Sequence, residues 1–275
     1  MAGDRIKMCQ LLGMNCNVPT DICFSFEGFH RRGGETDHHA DGWGIGFFED
    51  RGCRVFLDWQ SSCASPIAAL VREYPIKSTN VIAHIRKATV GQISLANTHP
   101  FMRELWGKYW LFAHNGDLKS LPALQSTRFH PVGTTDSEHA FCWLLESLAN
   151  EFAQEPPPDV LARRLSELVA EVAALGTLNF LLSNGDWLVA HCATRLSYLL
   201  RQAPFGQAHL VDNDLSVDFS GLTGPCDRVA LIATVPLTDN EDWTTMQPGD
   251  FLIFRNGMPC LAHQAVTADS ESVPV

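Results

Sequence analysis

Four short stretches in the first half of the chain carry side chains that could together hydrolyse an amide. Taken singly, each has an ordinary explanation: an incidental thiol, a solvated arginine, a turn that uses the conformational freedom of glycine, and a helix cap. Their combination is what suggests chemistry. The four stretches are Cys9, AHIRKAT at 83–89, AHNGD at 113–117 and GTTDSEHAF at 133–141.

These residue types match the steps of carboxamide hydrolysis on an amino acid. The Cys9 thiolate would be the nucleophile, and in a chain that begins at Cys9 the α-amino group, with a reference pKa of roughly 7.7–8.0, would be the base. The Asn115 side-chain amide and the Gly116 backbone N–H could stabilise the oxyanion. Arg86 suits a carboxylate and Asp136 suits an ammonium group, so the pattern predicts an amino-acid substrate.

The elements that would position these residues are strands, with two helices between the halves of the chain. Alternating or continuous apolar runs predict the strands, and the NGD sequence at 184–186 predicts a hairpin between two of them. We therefore expect an α+β fold. The predicted strands cover 43–48, 80–86, 109–114, 178–183, 187–192, 228–235 and 251–257.

Apolar residues at helical spacing predict the first helix, which begins at Thr135 or Asp136 as its N-cap. Three prolines at 156–158 then break the chain. The pattern beyond them predicts a second amphipathic helix, capped by Asp159 and ending near Gly176. The chain has the same composition on both sides of the prolines, so we interpret them as a connector between the helices and expect one domain.

The bulk composition narrows the class of protein. A net charge of −11 and the lack of a Lys/Arg run argue against a nucleic-acid partner. The sequence has neither an apolar run of the roughly 20 residues that span a membrane nor a signal peptide. The nine cysteines are scattered without a CxxC pair, which is typical of reduced thiols, so we expect a cytoplasmic protein.

The ordered motifs resemble those of the class II glutamine amidotransferases, in the N-terminal nucleophile (Ntn) hydrolase superfamily. Members have Cys at the mature N-terminus, followed by HxRxAT, N-x-HP, HNG and TD[ST]E. The resemblance runs from Met8 to about residue 257 and is greatest to stand-alone bacterial members. The matching motifs here are Cys9, HIRKAT at 84–89, NTHPF at 97–101, HNG at 114–116 and TDSE at 135–138.

The resemblance implies a four-layer αββα sandwich and a γ-glutamyl thioester on Cys9, with Asn115 and Gly116 as the oxyanion hole. Arg86 would hold the α-carboxylate of glutamine and Asp136 the α-amino group. Two further sets of residues would assist. They are Thr89 and Val90, through their backbone, and the loop-orienting histidines His84, His99 and His114.

Two features depart from the family pattern. Lys87 stands where several synthase-linked members have Trp, which predicts a different loop over bound glutamine. Seven residues also precede Met8, and a blocked Cys9 amine could not act as the base. Three explanations stay open: an artefactual upstream start, which the Met-Cys context favours, a propeptide that must be cleaved, or an inactive chain that keeps the extension.

We therefore expect residues 1–7 to be an extension, 8–263 a single glutaminase-type domain and 264–275 a flexible tail. The predicted activity releases glutamate and ammonia from glutamine without a cofactor, with a separate acceptor protein as a partner. Two alternatives stay open. One is hydrolysis of a larger γ-glutamyl amide, as in similar family members of ergothioneine synthesis, and the other is a catalytically silent glutamine-binding protein. The eleven histidines lack a metal-binding spacing such as HExxH, so no metal site is predicted.

Overall fold

The computed structural model describes residues 9–37, 41–87, 92–125 and 128–264. Within these ranges the backbone forms four α-helices and fifteen strands. The helices are α1 (Cys23–Arg31), α2 (Pro66–Glu73), α3 (Asp136–Glu151) and α4 (Pro158–Ala173). The strands are β1 (Gln10–Thr20), β2 (Trp43–Glu49), β3 (Gly52–Asp58), β4 (Ser78–Ile85), β5 (Phe101–Leu105), β6 (Lys108–Leu118), β7 (Gly176–Ser183), β8 (Leu188–His191), β9 (Ser197–Gln202), β10 (Gln207–His209), β11 (Ser216–Asp218), β12 (Arg228–Ala233), β13 (Thr244–Thr245), β14 (Asp250–Arg255) and β15 (Met258–Gln264).

Two large antiparallel sheets contain most of these strands. Sheet 1 has seven strands in the order β13-β9-β12-β1-β4-β2-β3, and sheet 2 has six in the order β15-β14-β8-β7-β6-β5. The hairpin β10–β11 is separate from both. The chain passes from sheet 2 to sheet 1 between β8 and β9, through residues 192–196, which we call the crossover. The molecule is therefore a mixed α/β fold with two antiparallel sheets.

The side chains of β1 alternate between two apolar clusters, because successive residues of a strand point to opposite faces. Leu12 and Met14 belong to a cluster that includes residues of α1 and α2. Leu11 belongs to a different cluster, which contains side chains of both sheets and which we call the inter-sheet cluster. A third cluster joins sheet 2 to α3 and α4.

Two glycines of sheet 1 allow leucines of sheet 2 to approach closely. A Cβ on Gly13 would lie 2.9 Å from a methyl group of Leu188, and a Cβ on Gly46 would lie 2.4 Å from one of Leu111. Real Cβ atoms do not approach other atoms so closely, so a side chain at either glycine would have to displace the leucine or push the sheets apart.

The predicted strands and the helices α3 and α4 are confirmed. Thr135 is the N-cap of α3, because its side chain accepts a hydrogen bond from the Glu138 N–H at 3.3 Å. The prediction that Asp159 caps α4 is wrong: Pro157 occupies the cap position without a side-chain bond, and Asp159 lies in the first turn. The helices α1 and α2 were not predicted, and the predicted tail beyond residue 264 lies outside the described residues.

None of the helices in the described ranges is long and apolar enough to cross a membrane.

Candidate functional site

Cys9 lies between the two sheets, just before the first residue of β1. There Gln10 pairs with Ile85 at the end of β4, and this pairing places Lys87 beside the thiol. The Lys87 N–H donates to Cys9 Sγ at 3.1 Å, and the thiol lies 3.4 Å from the Lys87 carbonyl oxygen. From sheet 2, the Asn115 side-chain amide donates to the Cys9 carbonyl oxygen at 2.5 Å. Two predicted site residues, far apart in sequence, are therefore in contact.

The surroundings of Cys9 keep its thiol protonated. Burial raises its pKa above the ordinary value of 9.0, and the negative charge of Asp41 acts in the same direction. The Lys87 N–H and the positive charge of Arg86 lower the pKa, but their effect is the smaller. Because the thiolate is the reactive form of cysteine, this site needs a base.

Arg86 follows β4 directly and is buried beside Cys9. Its backbone N–H donates to the Gly42 carbonyl at 2.8 Å, and its guanidinium donates to the Gln92 carbonyl at 3.2 Å. Burial lowers the pKa of the guanidinium, whereas the nearby Cys9 and Asp41 raise it. A buried guanidinium is a planar cation whose N–H groups match the geometry of a carboxylate, so this position suits an anionic ligand.

The predicted partners of Arg86 in carboxylate binding, Thr89 and Val90, lie outside the described residues.

Asp136 begins α3 and joins this helix to the end of β6. Its carboxylate accepts hydrogen bonds from the Leu118 N–H at 2.7 Å and from the Ser137 N–H at 2.8 Å. These bonds fix the orientation of the carboxylate at the positive end of the helix dipole. Asp136 is therefore both a helix-terminal residue and a fixed negative charge.

His114, in β6, contacts both α3 and β7. Its Nε2 lies 3.0 Å from the Thr177 carbonyl and its Nδ1 lies 2.8 Å from the Ser137 hydroxyl. Since a carbonyl can only accept, Nε2 must carry the proton, and the Ser137 hydroxyl then donates to Nδ1. Burial lowers the pKa of His114, which favours this neutral form.

The rings of His84 and His99 form a buried pair, and the charge of Arg86 acts on His99. Their ring centroids are 4.3 Å apart, and His99 also contacts Phe101 with centroids 4.4 Å apart. Burial, together with the charges of the neighbouring histidines and of Arg86, holds the pKa of His99 well below its ordinary value. His99 is therefore neutral at physiological pH and packs as an aromatic side chain.

Packing against β7 requires a glycine at position 116. Gly116 pairs with Leu178 across β6 and β7, and a Cβ at this position would lie 1.8 Å from the Thr177 carbonyl oxygen. Only glycine permits this approach.

Sequence analysis missed one buried polar residue of the site, Asn179. It lies directly opposite Asn115 in the β6–β7 pair and is fully buried. Its amide group donates to the Asn115 carbonyl at 3.0 Å and to the Thr194 hydroxyl at 2.9 Å. The only signal in the sequence is an asparagine within the apolar run LNFLLS.

In the part of the chain that the structure describes, no three His, Cys, Asp or Glu side chains are arranged to hold a metal. A separate cavity lies away from the site. It has a volume of about 490 Å³ and lies on the α1 side of sheet 1, between Phe24, Arg201 and Phe219, and none of the predicted site residues lines it.

Residues 8–273 match the family model of the class II glutamine amidotransferases. A candidate glutamine amidotransferase of Haemophilus influenzae is 54% identical over 250 residues, 91% of this chain and 85% of that protein. YafJ of Escherichia coli K12, also a candidate glutamine amidotransferase, is 50% identical over 260 residues, 94% of this chain and all of that one. The crystal structure of a similar candidate from Pseudomonas aeruginosa PA01 has 44% identity and a TM-score of 0.74, covering 92% of this chain and 100% of its own.

A more distant relative has a specific reaction in its name. The γ-glutamyl-hercynylcysteine sulfoxide hydrolase of Mycobacterium tuberculosis is 28% identical over 172 residues, which are 60% of this chain and 64% of that protein.

Proposed function

The chain belongs to the class II glutamine amidotransferases, and from that premise we propose that it hydrolyses the γ-amide of glutamine through a thioester on Cys9. The observation that carries the proposal is the contact between Cys9 and Asn115, which brings a thiol and an amide donor together across the two sheets. A thiol nucleophile beside a fixed N–H donor is what acyl transfer needs.

In the proposed first half-reaction, the Cys9 sulfur attacks the γ-carbonyl carbon and its proton passes to the α-amino group of Cys9. The oxyanion that forms accepts hydrogen bonds from the Asn115 side chain and the Gly116 N–H. The carbon–nitrogen bond then breaks, and the leaving nitrogen takes the proton from the ammonium group to depart as ammonia. This sequence requires a chain that begins at Cys9, since a peptide nitrogen cannot serve as the base.

In the second half-reaction, water attacks the thioester and gives up a proton to the same amine. The carbon–sulfur bond breaks, glutamate leaves, and the thiol is restored. The three histidines of the motifs take no part in proton transfer in this scheme. The neutral His114 of β6 orients the start of α3 through Ser137 and the start of β7 through Thr177.

We propose that the glutamyl end of the substrate is held by two opposite charges. The buried Arg86 guanidinium would bind the α-carboxylate, with backbone groups of Thr89 and Val90. The Asp136 carboxylate would bind the α-ammonium group, and its position is supported by the bonds from the Leu118 and Ser137 N–H groups.

The proposal includes the architecture that the family implies. The three apolar clusters, one on the α1–α2 side, one between the sheets and one on the α3–α4 side, support a four-layer αββα order within a single domain over 8–263. The nine cysteines are free thiols, which supports a cytoplasmic setting.

A larger γ-glutamyl amide is the second candidate substrate. The observation that favours it is the similarity to the mycobacterial hydrolase, whose name describes cleavage of such a compound. The residues discussed above would hold only the glutamyl half, so the same mechanism serves either leaving group. Any ammonia acceptor would be a separate protein.

The test uses protein expressed from Met8 without an N-terminal tag, so that removal of the methionine frees the Cys9 amine. The protein is incubated with 6-diazo-5-oxo-norleucine, a glutamine mimic that alkylates the nucleophile, and analysed by intact mass and peptide mapping. We expect one adduct on Cys9 that glutamine prevents, and none in Cys9→Ser. Cys260→Ser, a change at an exposed cysteine, is the matched control and should still react.

The result that contradicts the proposal is the lack of an adduct on a Cys9 shown to be N-terminal and unmodified. Ammonia release from glutamine, compared with amine release from larger γ-glutamyl amides, then identifies the substrate. A protein that binds glutamine but turns over none of these compounds would be a silent binding protein.

A further inference from the structure

The two central residues of the site come from different sheets. Cys9 precedes β1 of sheet 1, whereas Asn115 belongs to β6 of sheet 2. The strand ladders, which run within each sheet, do not fix the distance between them. It depends on how the two sheets are held against each other at this end.

One side chain connects sheet 2 to the crossover at this point. Asn179 Oδ1 accepts hydrogen bonds from three successive N–H groups of the crossover: Ala193 at 2.9 Å, Thr194 at 2.9 Å and Arg195 at 3.3 Å. Its Nδ2 donates to the Thr194 hydroxyl and to the Asn115 carbonyl. Five hydrogen bonds thus converge on one fully buried amide.

The crossover leads straight to the strands that carry Cys9. It continues into β9, which pairs with β12, and β12 pairs with β1. Beyond the end of β12, the Thr234 hydroxyl accepts a hydrogen bond from the Leu11 N–H, two residues from Cys9, at 2.9 Å. Asn179 therefore joins the backbone of Asn115 to the crossover, the segment that continues into the sheet next to Cys9.

We propose that Asn179 is a positioning residue: by joining the Asn115 backbone to the crossover, it sets the place of the Asn115 amide relative to Cys9. The inference rests on the proposed function, because it assigns Asn179 a part in the same reaction. Only asparagine and glutamine carry two N–H donors and a carbonyl acceptor on one side-chain amide, and glutamine is one methylene too long for this fully packed site.

The structure offers a matched control at the opposite end of β4. Asn80 is also buried, and its amide joins sheet 1 to the turn between β7 and β8 of sheet 2, donating to the Gly185 carbonyl at 2.6 Å and accepting from Asn15 at 2.8 Å. Replacing it removes a buried amide of the same kind, about five residues of strand away from Arg86. A general loss of stability should appear in both variants, and a loss of positioning only in the variant of Asn179.

The experiment compares Asn179→Ala with Asn80→Ala in the chain that begins at Cys9. We expect kcat for the γ-glutamyl substrate to fall about 10- to 100-fold in Asn179→Ala, the scale of a displacement of about 1 Å at a reacting centre. KM should change less than about twofold, because Arg86 and Asp136 are untouched. In Asn80→Ala, kcat should stay within about twofold of the parent protein.

Hydrogen exchange measured by mass spectrometry supplies a readout that does not need activity. In Asn179→Ala the amides of 193–195 should exchange faster than in the parent, and those around Asn115 should do so as well. If the parent protein hydrolyses none of the substrates, the proposed function fails. The exchange result still tests whether Asn179 joins the Asn115 backbone to the crossover. In Asn179→Asp the acceptor remains, so 193–195 should keep its protection while kcat stays low.

Two results would overturn the inference. One is a kcat of Asn179→Ala within twofold of an active parent, whatever its exchange pattern, since Asn179 would then only stabilise the crossover. The other is an equal loss of kcat in Asn80→Ala, which would mean that any buried amide between the sheets has the same effect.

Discussion

At the scale of single residues, Asn115 combines two connections in one position. Its side chain donates to the Cys9 carbonyl oxygen, and its own carbonyl accepts from the Asn179 side chain. The side chain and the backbone of Asn115 are thus fixed by different partners. A change of its side chain alone therefore removes the donor and leaves the strand in place.

We predict that Asn115→Ala lowers kcat by roughly 10²–10³-fold, the effect of removing one oxyanion donor. The measurement is steady-state release of ammonia or amine by the chain that begins at Cys9. Asn17→Ala is the control, because the Asn17 amide also donates to a backbone carbonyl, that of Cys226, but far from Cys9. Full kcat in Asn115→Ala would mean that the oxyanion is stabilised elsewhere.

The sequence could single out Cys9, Arg86 and Asn115 as candidate site residues because each has a side chain whose chemistry is distinctive in that order along the chain. It could not identify Asn179. A buried asparagine differs from a solvated one only in what surrounds it, and its partners at 193–195 become neighbours only through the pairing of β6 with β7. Hydrogen bonds to backbone groups leave no pattern in the sequence of the partner.

At the scale of elements, the start of α3 is held by a buried ion pair. The Glu138 carboxylate, in the first turn, is almost fully buried and accepts bonds from the Arg103 guanidinium of β5 and from the Gly133 N–H. Thr135 caps the same turn. This arrangement fixes the first turn of α3 against sheet 2, and Asp136 with it.

We predict that Arg103→Ala lowers the free energy of unfolding by about 3 kcal/mol, because it leaves a buried carboxylate without its cation. Denaturant unfolding followed by circular dichroism measures the change. Arg164→Ala, which removes ion pairs from the solvent-facing side of α4, is the control and should cost less than about 1 kcal/mol. Equal costs for the two variants would contradict the prediction.

Element length explains which helices the sequence predicted. The sixteen residues of α3 bury Phe141, Leu144, Leu145 and Leu148, and Thr135, one of the two predicted caps, is its N-cap. With nine and eight residues, α1 and α2 span too few turns for the period to stand out. A cap signal was present for α2, since the Ser65 side chain accepts from the Ala68 N–H ahead of Pro66 at the first helical position.

At the scale of the whole molecule, buried histidines connect stability to pH. Burial is the main cause that lowers the pKa of each of them below the ordinary value of 6.5. They come from helix α1, from sheet 2 and from the segment before β5. They are His30, His99, His114 and His191.

Below pH 6.5 the unfolded chain therefore binds protons that the folded chain does not. The contribution of these histidines to the free energy of unfolding is fully present above pH 6.5. It is lost as the pH falls below 6.5 toward their folded-state pKa values. We predict lower denaturant midpoints at pH 5.5 than at pH 7.5. His209, whose pKa is raised by Asp239 and Asp214, contributes in the opposite direction, so His209→Gln should retain this fall or make it steeper. A midpoint that rises on acidification would contradict the prediction.

The spacing of the two sheets has a further consequence, which follows from Gly13 and Gly46. The sheets approach closely because these residues leave room for leucines of the facing sheet, and Gly13 lies on β1, the strand that follows Cys9. The spacing of Cys9 and Asn115, which come from different sheets, therefore also depends on the bulk of side chains inside the molecule. Under the proposed mechanism, a methyl group gained or lost between the sheets would change the reaction rate with every residue of the site unaltered.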